Sequence, residues 1–139
     1  MPIPMSVMQI IKFIRRMNPN IHYSMVHKMN LYFWRMMTNK RILMVWENRH
    51  PIAMICFSIT NDTTKFQNKD IWKYLEHKPD GLICYVEKLI AKKWNKDIRN
   101  QLVSMGLSEF PQIKYVVFDR PAKEGNREVS IKLKEKQYV

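Results

Sequence analysis

The sequence predicts an α/β (α+β) fold: a mixed, twisted sheet of about five strands with helices on both faces. Five short apolar segments have strand character: "RILMVWE", "PIAMICFSIT", "LICYVEKLIA", "PQIKYVVFD" and "REVSIKLKEK". Three other segments place apolar residues at helical spacing. One of those helices lies between two strands, and such a strand–helix–strand crossover implies a parallel pair. A chain of 139 residues, 46% hydrophobic and with 3 glycines, can bury a core and reads as a single domain over residues 1–139.

Over residues 5–17, Val7, Ile10, Ile11, Ile14 and Met17 share one helical face. "NPN" (18–20) ends that helix, because Pro19 disfavours a helical Asn18 and asparagines favour turns. A second helix fits 21–37, with Met25, Met29, Tyr32, Phe33 and Met36 on one side as core or as the lining of a ligand groove. The first two strand segments, joined by "NRHP", form a hairpin. A polar stretch follows over 61–81, with a short helix possible at "NKDIWKYLEH" and a stop at "KPDG".

"LICYVEKLIA" (82–91) is the central strand. Simple alternation puts Tyr85, Glu87 and Leu89 on one face and Cys84, Val86 and Lys88 on the other. In the next helix Asn95 is the expected N-cap, Ile98, Leu102 and Met105 the apolar face, and Gly106 the C-terminal cap. "PQIKYVVFD" (111–119) is a strand, "RPAKEGNRE" a turn-rich connection, and "REVSIKLKEK" (127–136) a strand with one wet face. The open edge of that last strand permits pairing with another chain without fixing an oligomeric state.

The balance of 24 basic and 12 acidic residues gives a net charge of +12. The excess is uneven: residues 1–46 carry Lys12, Arg15, Arg16, Lys28, Arg35, Lys40 and Arg41 but no acid before Glu47. Such a chain attracts nucleic acid, acidic protein, anionic lipid or a phosphorylated small molecule. The longest apolar run, Ile52–Phe57, is too short to span a bilayer, and bases interrupt the first apolar segment, so a cytoplasmic protein is expected. Cys56 and Cys84 lie in strand-like segments and are expected as buried reduced thiols; no Cys/His spacing suggests a metal.

The segments "ILMVWENRHPIAMICFSI", "LICYVEKLIAKKWNKDIRNQLVSMG" and "IKYVVFDRP" resemble, in order, the paired strands, the central strand with phosphate loop and helix, and the following strand of the GNAT acyltransferase superfamily. The layout is also similar to the toxin-activating lysine acyltransferases. Small divergent members of this shape are common on phage and mobile-element genomes. The resemblance implies that the two parallel strands splay and that acetyl-CoA or another acyl-CoA lies in the gap as co-substrate. Leu89, Ile90 and Ala91 would then contact the pantetheine. Lys92, Lys93, Asn95, Lys96 and Ile98 would form the phosphate junction, with Arg99 adding attraction. A helix start suits this role because its unpaired N–H groups and dipole favour anions.

Three features depart from the family pattern. "KKWNKDIRNQ" has no glycine, Asp97 puts a carboxylate in the first helical turn, and no fourth helix follows Asp119. A solvated helix start with Asp97 stabilising the dipole is the alternative reading of the junction.

For catalysis the resemblance implies attack of an amine on the thioester, with Glu87 as base and Tyr85 or Tyr115 protonating the leaving thiolate. A carboxylate in apolar surroundings suits a base near neutrality; the alternative is a strand-edge carboxylate paired with a lysine such as Lys114. His22 lies loosely where the toxin-activating branch keeps a catalytic histidine, or is simply a surface residue. The acceptor would be an amine on a protein, peptide, nucleotide or small molecule. Two non-enzymatic functions compete: nucleic-acid binding through Trp34, Arg35, Lys40, Arg41 and Trp46, and an accessory or virion protein with a degenerate transferase fold.

Overall fold

A computed structural model describes residues 6–20, 25–63, 78–122 and 125–133. Helix α1, Val7–Met17, starts with a reciprocal cap in which the Ser6 hydroxyl accepts from the Gln9 amide and the Gln9 side chain accepts from the Ser6 amide. Helix α2, Val26–Thr38, ends in a motif where the Arg41 amide reaches the Met36 carbonyl and the Lys40 amide reaches that of Met37. Lys40 occupies the left-handed position, with φ of 58°. That motif delivers Arg41 to the start of the sheet.

Strands β1, Ile42–Glu47, and β2, His50–Thr60, are joined by Asn48 and Arg49 alone, with φ of 51° and 66°. Positive φ at both turn residues gives the twist a two-residue hairpin needs. The expected "NRHP" link is therefore shorter, and Pro51 lies in β2 opposite Trp46 on the sheet's outer hairpin. Strand β3 is Ile83–Ala91, helix α3 Lys96–Glu109, β4 Tyr115–Ala122 and β5 Gly125–Lys132. The sheet order is β1-β2-β3-β4-β5, antiparallel except for the parallel β3–β4 pair. This is the mixed five-stranded α+β sheet the sequence predicts.

Helices cover both faces. On one, Ile10, Phe13 and Ile14 of α1 and Met29, Phe33 and Met36 of α2 pack on Met44, Met54 and Cys56. On the other, Ile98 and Leu102 of α3 pack on Leu43, Val45, Ile55, Phe57 and Cys84. The methionine and aromatic stripe of α2 is thus core.

Other element boundaries also differ from expectation: β4 begins at Tyr115 and not at 111, and β5 at Gly125 and not at 127. Gly106 does not cap α3, which runs on to Glu109; Leu107 and Phe110 still pack on the core, and their burial outweighs the roughly 1 kcal/mol cost of a mid-helix glycine. The "RPAKEGNRE" segment is mostly strand, with β4 and β5 paired as far as Ala122 opposite Gly125. The helix expected at "NKDIWKYLEH", His22 and His77 lie outside the described residues.

Candidate functional site

The parallel pair is short. β3 and β4 align only from Ile83 opposite Tyr115 to Val86 opposite Phe118. Beyond that point Lys88–Ala91 pair with β2 alone, while Asp119–Ala122 pair with β5. The two strands therefore part at their carboxyl ends, and the chain leaving β3 leads directly into α3.

Glu87 sits where they part. The β2–β3 register shifts so that Phe57 faces Val86 and Cys56 faces Lys88, which leaves Glu87 as the extra residue of a bulge. A one-residue shift reverses the alternation downstream. Lys88 consequently lies over the Tyr32 ring of α2, its Nζ 5.4 Å from the centroid, and Ile90 packs in the α1–α2 core. Ala91 packs in the α3-side core, and strand alternation puts the exposed Leu89 on that same side. The simple alternation expected for Leu89 and Lys88 is corrected by this bulge.

The Glu87 side chain is only 1% exposed and is not in apolar surroundings. Arg41 Nη2 lies 2.7 Å from its Oε2, and the Ser58 hydroxyl donates to the same oxygen. Arg41, itself fully buried, also bonds Ser58 Oγ and donates through Nε to the Phe57 carbonyl at 2.7 Å. The partner is this arginine, not Lys114. Tyr32 and Cys56 border the cluster: burial first, then the neighbouring Glu87 charge, pushes the Cys56 thiol up to about 12. Burial likewise raises the Tyr32 hydroxyl, which stays a neutral phenol.

Arg41 and Ser58 carry a signal that periodicity misses. A lone arginine abutting "ILMV" and a serine inside "ICFSI" are polar groups in strands buried on both faces, and buried polar groups need partners.

Tyr85, 2% exposed, is opposite Val117 and two residues before Glu87. Tyr115 is at the opposite end of the paired segment, roughly 10 Å along β4 from Phe118. Leu89, Ile90 and Ala91 form the part of β3 beyond the parting point. At the junction, the Lys92 and Lys93 amides both donate to the Ile52 carbonyl, at 2.8 and 3.4 Å. Asn95 caps α3 by accepting from the Ile98 amide at 2.9 Å. The remaining junction amides, of Trp94, Asn95, Lys96 and Asp97, have no partner among the described residues. Lys92, Lys93, Lys96 and Arg99 are exposed, as is Asp97, and Lys93 reaches Glu47 at 3.3 Å.

The interleaved basic and aromatic surface proposed for nucleic acid is broken. Arg41 is interior and Trp46 packs against the α1–α2 core, leaving Trp34, Arg35 and Lys40 outside. Among the described residues no cluster of three or more His, Cys, Asp or Glu could hold a metal. No helix there is long and apolar enough to cross a membrane.

No protein-family model matches the chain, and no curated protein matches it significantly. Among solved structures it is similar to the crystal structure of the loading GNATL domain of CurA from Lyngbya majuscula. The TM-score is 0.59 at 11% identity, over 85% of this chain and 61% of that one. The fold is GNAT-like, and the chain spans about three-fifths of the length of that neighbour.

Proposed function

We propose that the chain binds an acyl-CoA between the diverging ends of β3 and β4 and transfers its acyl group to an amine. The observation that carries this reading is the end of parallel pairing at Val86 and Phe118, followed by a helix start whose amides have no partner among the described residues. Pantetheine would run along Leu89–Ala91. The phosphates would meet the Trp94, Lys96 and Asp97 amides, with Lys92, Lys93, Lys96, Ile98 and Arg99 around them.

The amine nitrogen would attack the thioester carbonyl, and collapse of the oxyanion would expel the CoA thiolate. Glu87 is the proposed base. Its Arg41 and Ser58 bonds both fall on Oε2, so Oε1 would take the amine's proton directly or through one water. Tyr85, on the same side of β3, is better placed than Tyr115 to protonate the thiolate. Calorimetric titration with acetyl-CoA should give micromolar binding, abolished by Lys93→Glu with Lys96→Glu. Absence of binding to any acyl-CoA would remove the proposal.

The near-complete burial of the Glu87 side chain favours a second reading, an acyl-CoA-binding protein without transfer. Acyl-CoA binding with no acylated product from a panel of amines, followed by mass spectrometry, would establish it.

A further inference from the structure

The outward side of the α1–α2 layer plays no part in the gap between β3 and β4. With Ile10, Phe13, Ile14 and Met29, Tyr32, Phe33, Met36 turned to the sheet, α1 directs Met8, Lys12, Arg15 and Arg16 away from it. On α2 the outward stripe is His27, Leu31, Trp34 and Thr38, with Lys28 and Arg35 beside it. Three large apolar side chains are open to solvent there: Met8 at 58%, Leu31 at 55% and Trp34 at 62%. No acidic residue occurs anywhere in residues 1–46.

We propose that this face docks on an anionic lipid bilayer, with Met8, Leu31 and Trp34 entering the interface and Lys12, Arg15, Arg16 and Lys28 meeting lipid phosphates. Charge selects an anionic partner and excludes a second copy of the same face, whose bases would oppose these. The apolar side chains then choose among anionic partners. Phosphodiester chains give Met8 and Leu31 nothing to bury against, whereas the headgroup–acyl boundary accepts apolar residues and tryptophan while its anionic surface holds the bases. The docking is peripheral and independent of whether the β3–β4 gap binds acyl-CoA.

The test is co-sedimentation of the full chain with phosphatidylcholine vesicles containing no or one-third phosphatidylglycerol, alongside a single-stranded DNA oligonucleotide. Binding should require phosphatidylglycerol and weaken as salt rises. Lys12→Glu with Lys28→Glu should lower it about 25-fold or more, at about fivefold per base before the added effect of reversal. Leu31→Ser with Trp34→Ser should also lower vesicle binding severalfold while leaving the net charge unchanged. These positions are exposed, and an unchanged thermal melt confirms that each variant is folded. Failure to bind phosphatidylglycerol vesicles overturns the proposal. So does vesicle binding indifferent to the Leu31 and Trp34 changes, or DNA binding that depends on Trp34.

Discussion

Arg41 Nη2 and Glu87 Oε2 meet at 2.7 Å inside the sheet, joining the residue before β1 to the bulge of the central strand. Both side chains are essentially without solvent contact. The pair ties the helical layer to the point where β3 and β4 part. Truncating one member leaves an unpaired charge in the interior, which costs about 3–5 kcal/mol, whereas replacing both with apolar residues is often neutral. Arg41→Met alone should therefore lower urea-unfolding stability by about that amount. Arg41→Met with Glu87→Leu should recover most of it. If the proposed base role of Glu87 holds, the double variant stays folded and binds acyl-CoA but transfers nothing.

Much of this architecture was legible from residue patterns because the signals were local. Asn95 and Ile98 define the start of α3, and "PIAMICFSIT" is a short apolar run between turn residues, the mark of a strand. The Arg41–Ser58–Glu87 cluster was not legible. Its members are 17 and 29 positions apart in successive steps and meet only through sheet pairing. The bulge that aims Lys88 at Tyr32 is a register property of two strands, and neither sequence segment records it alone.

The buried thiols make stability fall in alkali. Burial pushes Cys84, like Cys56, from an ordinary 9.0 up to about 12. Between those values the unfolded chain releases thiol protons that the folded chain keeps, so the unfolded state is increasingly favoured. The thiol contribution is fully present below pH 9 and is lost as pH rises toward 12. Each thiol contributes a slope of about −1.4 kcal/mol per pH unit across that window. Cys84→Ala should flatten the decline relative to wild type in urea titrations from pH 8 to 10.5. An unchanged slope would contradict the burial argument.

Asp97 and Asn95 act oppositely on an incoming anion and on the helix. Asn95→Ala removes the bond to the Ile98 amide and should cost about 1 kcal/mol of stability. Asp97→Asn should cost only a few tenths of a kcal/mol, through loss of a favourable dipole contact. In exchange it removes a carboxylate from the first turn of α3. If acyl-CoA phosphates sit at that turn, Asp97→Asn should tighten acetyl-CoA binding severalfold. Unchanged affinity would move the phosphate site away from the α3 start.

Lys40 and Gly81 are positions where the sequence and the backbone pull in opposite directions. Lys40 holds a left-handed conformation that costs a residue with a Cβ about 1–2 kcal/mol. The compensation it receives is an ion pair with Glu109 at 3.6 Å between exposed side chains, and such pairs contribute about 0–1 kcal/mol. Lys40→Gly should thus stabilise the fold slightly, by up to about 1 kcal/mol, since glycine recovers the strain but loses more chain entropy on folding. Gly81 is the converse case: a Cβ there would sit 2.7 Å from the Thr60 carbonyl oxygen, which is backbone and cannot swing aside. Gly81→Ala should destabilise by displacing the start of β3 from β2. Thermal melts of the two variants should shift in opposite directions; a loss of stability in Lys40→Gly would mean that the Glu109 contact and the chain entropy of glycine together outweigh the strain at Lys40.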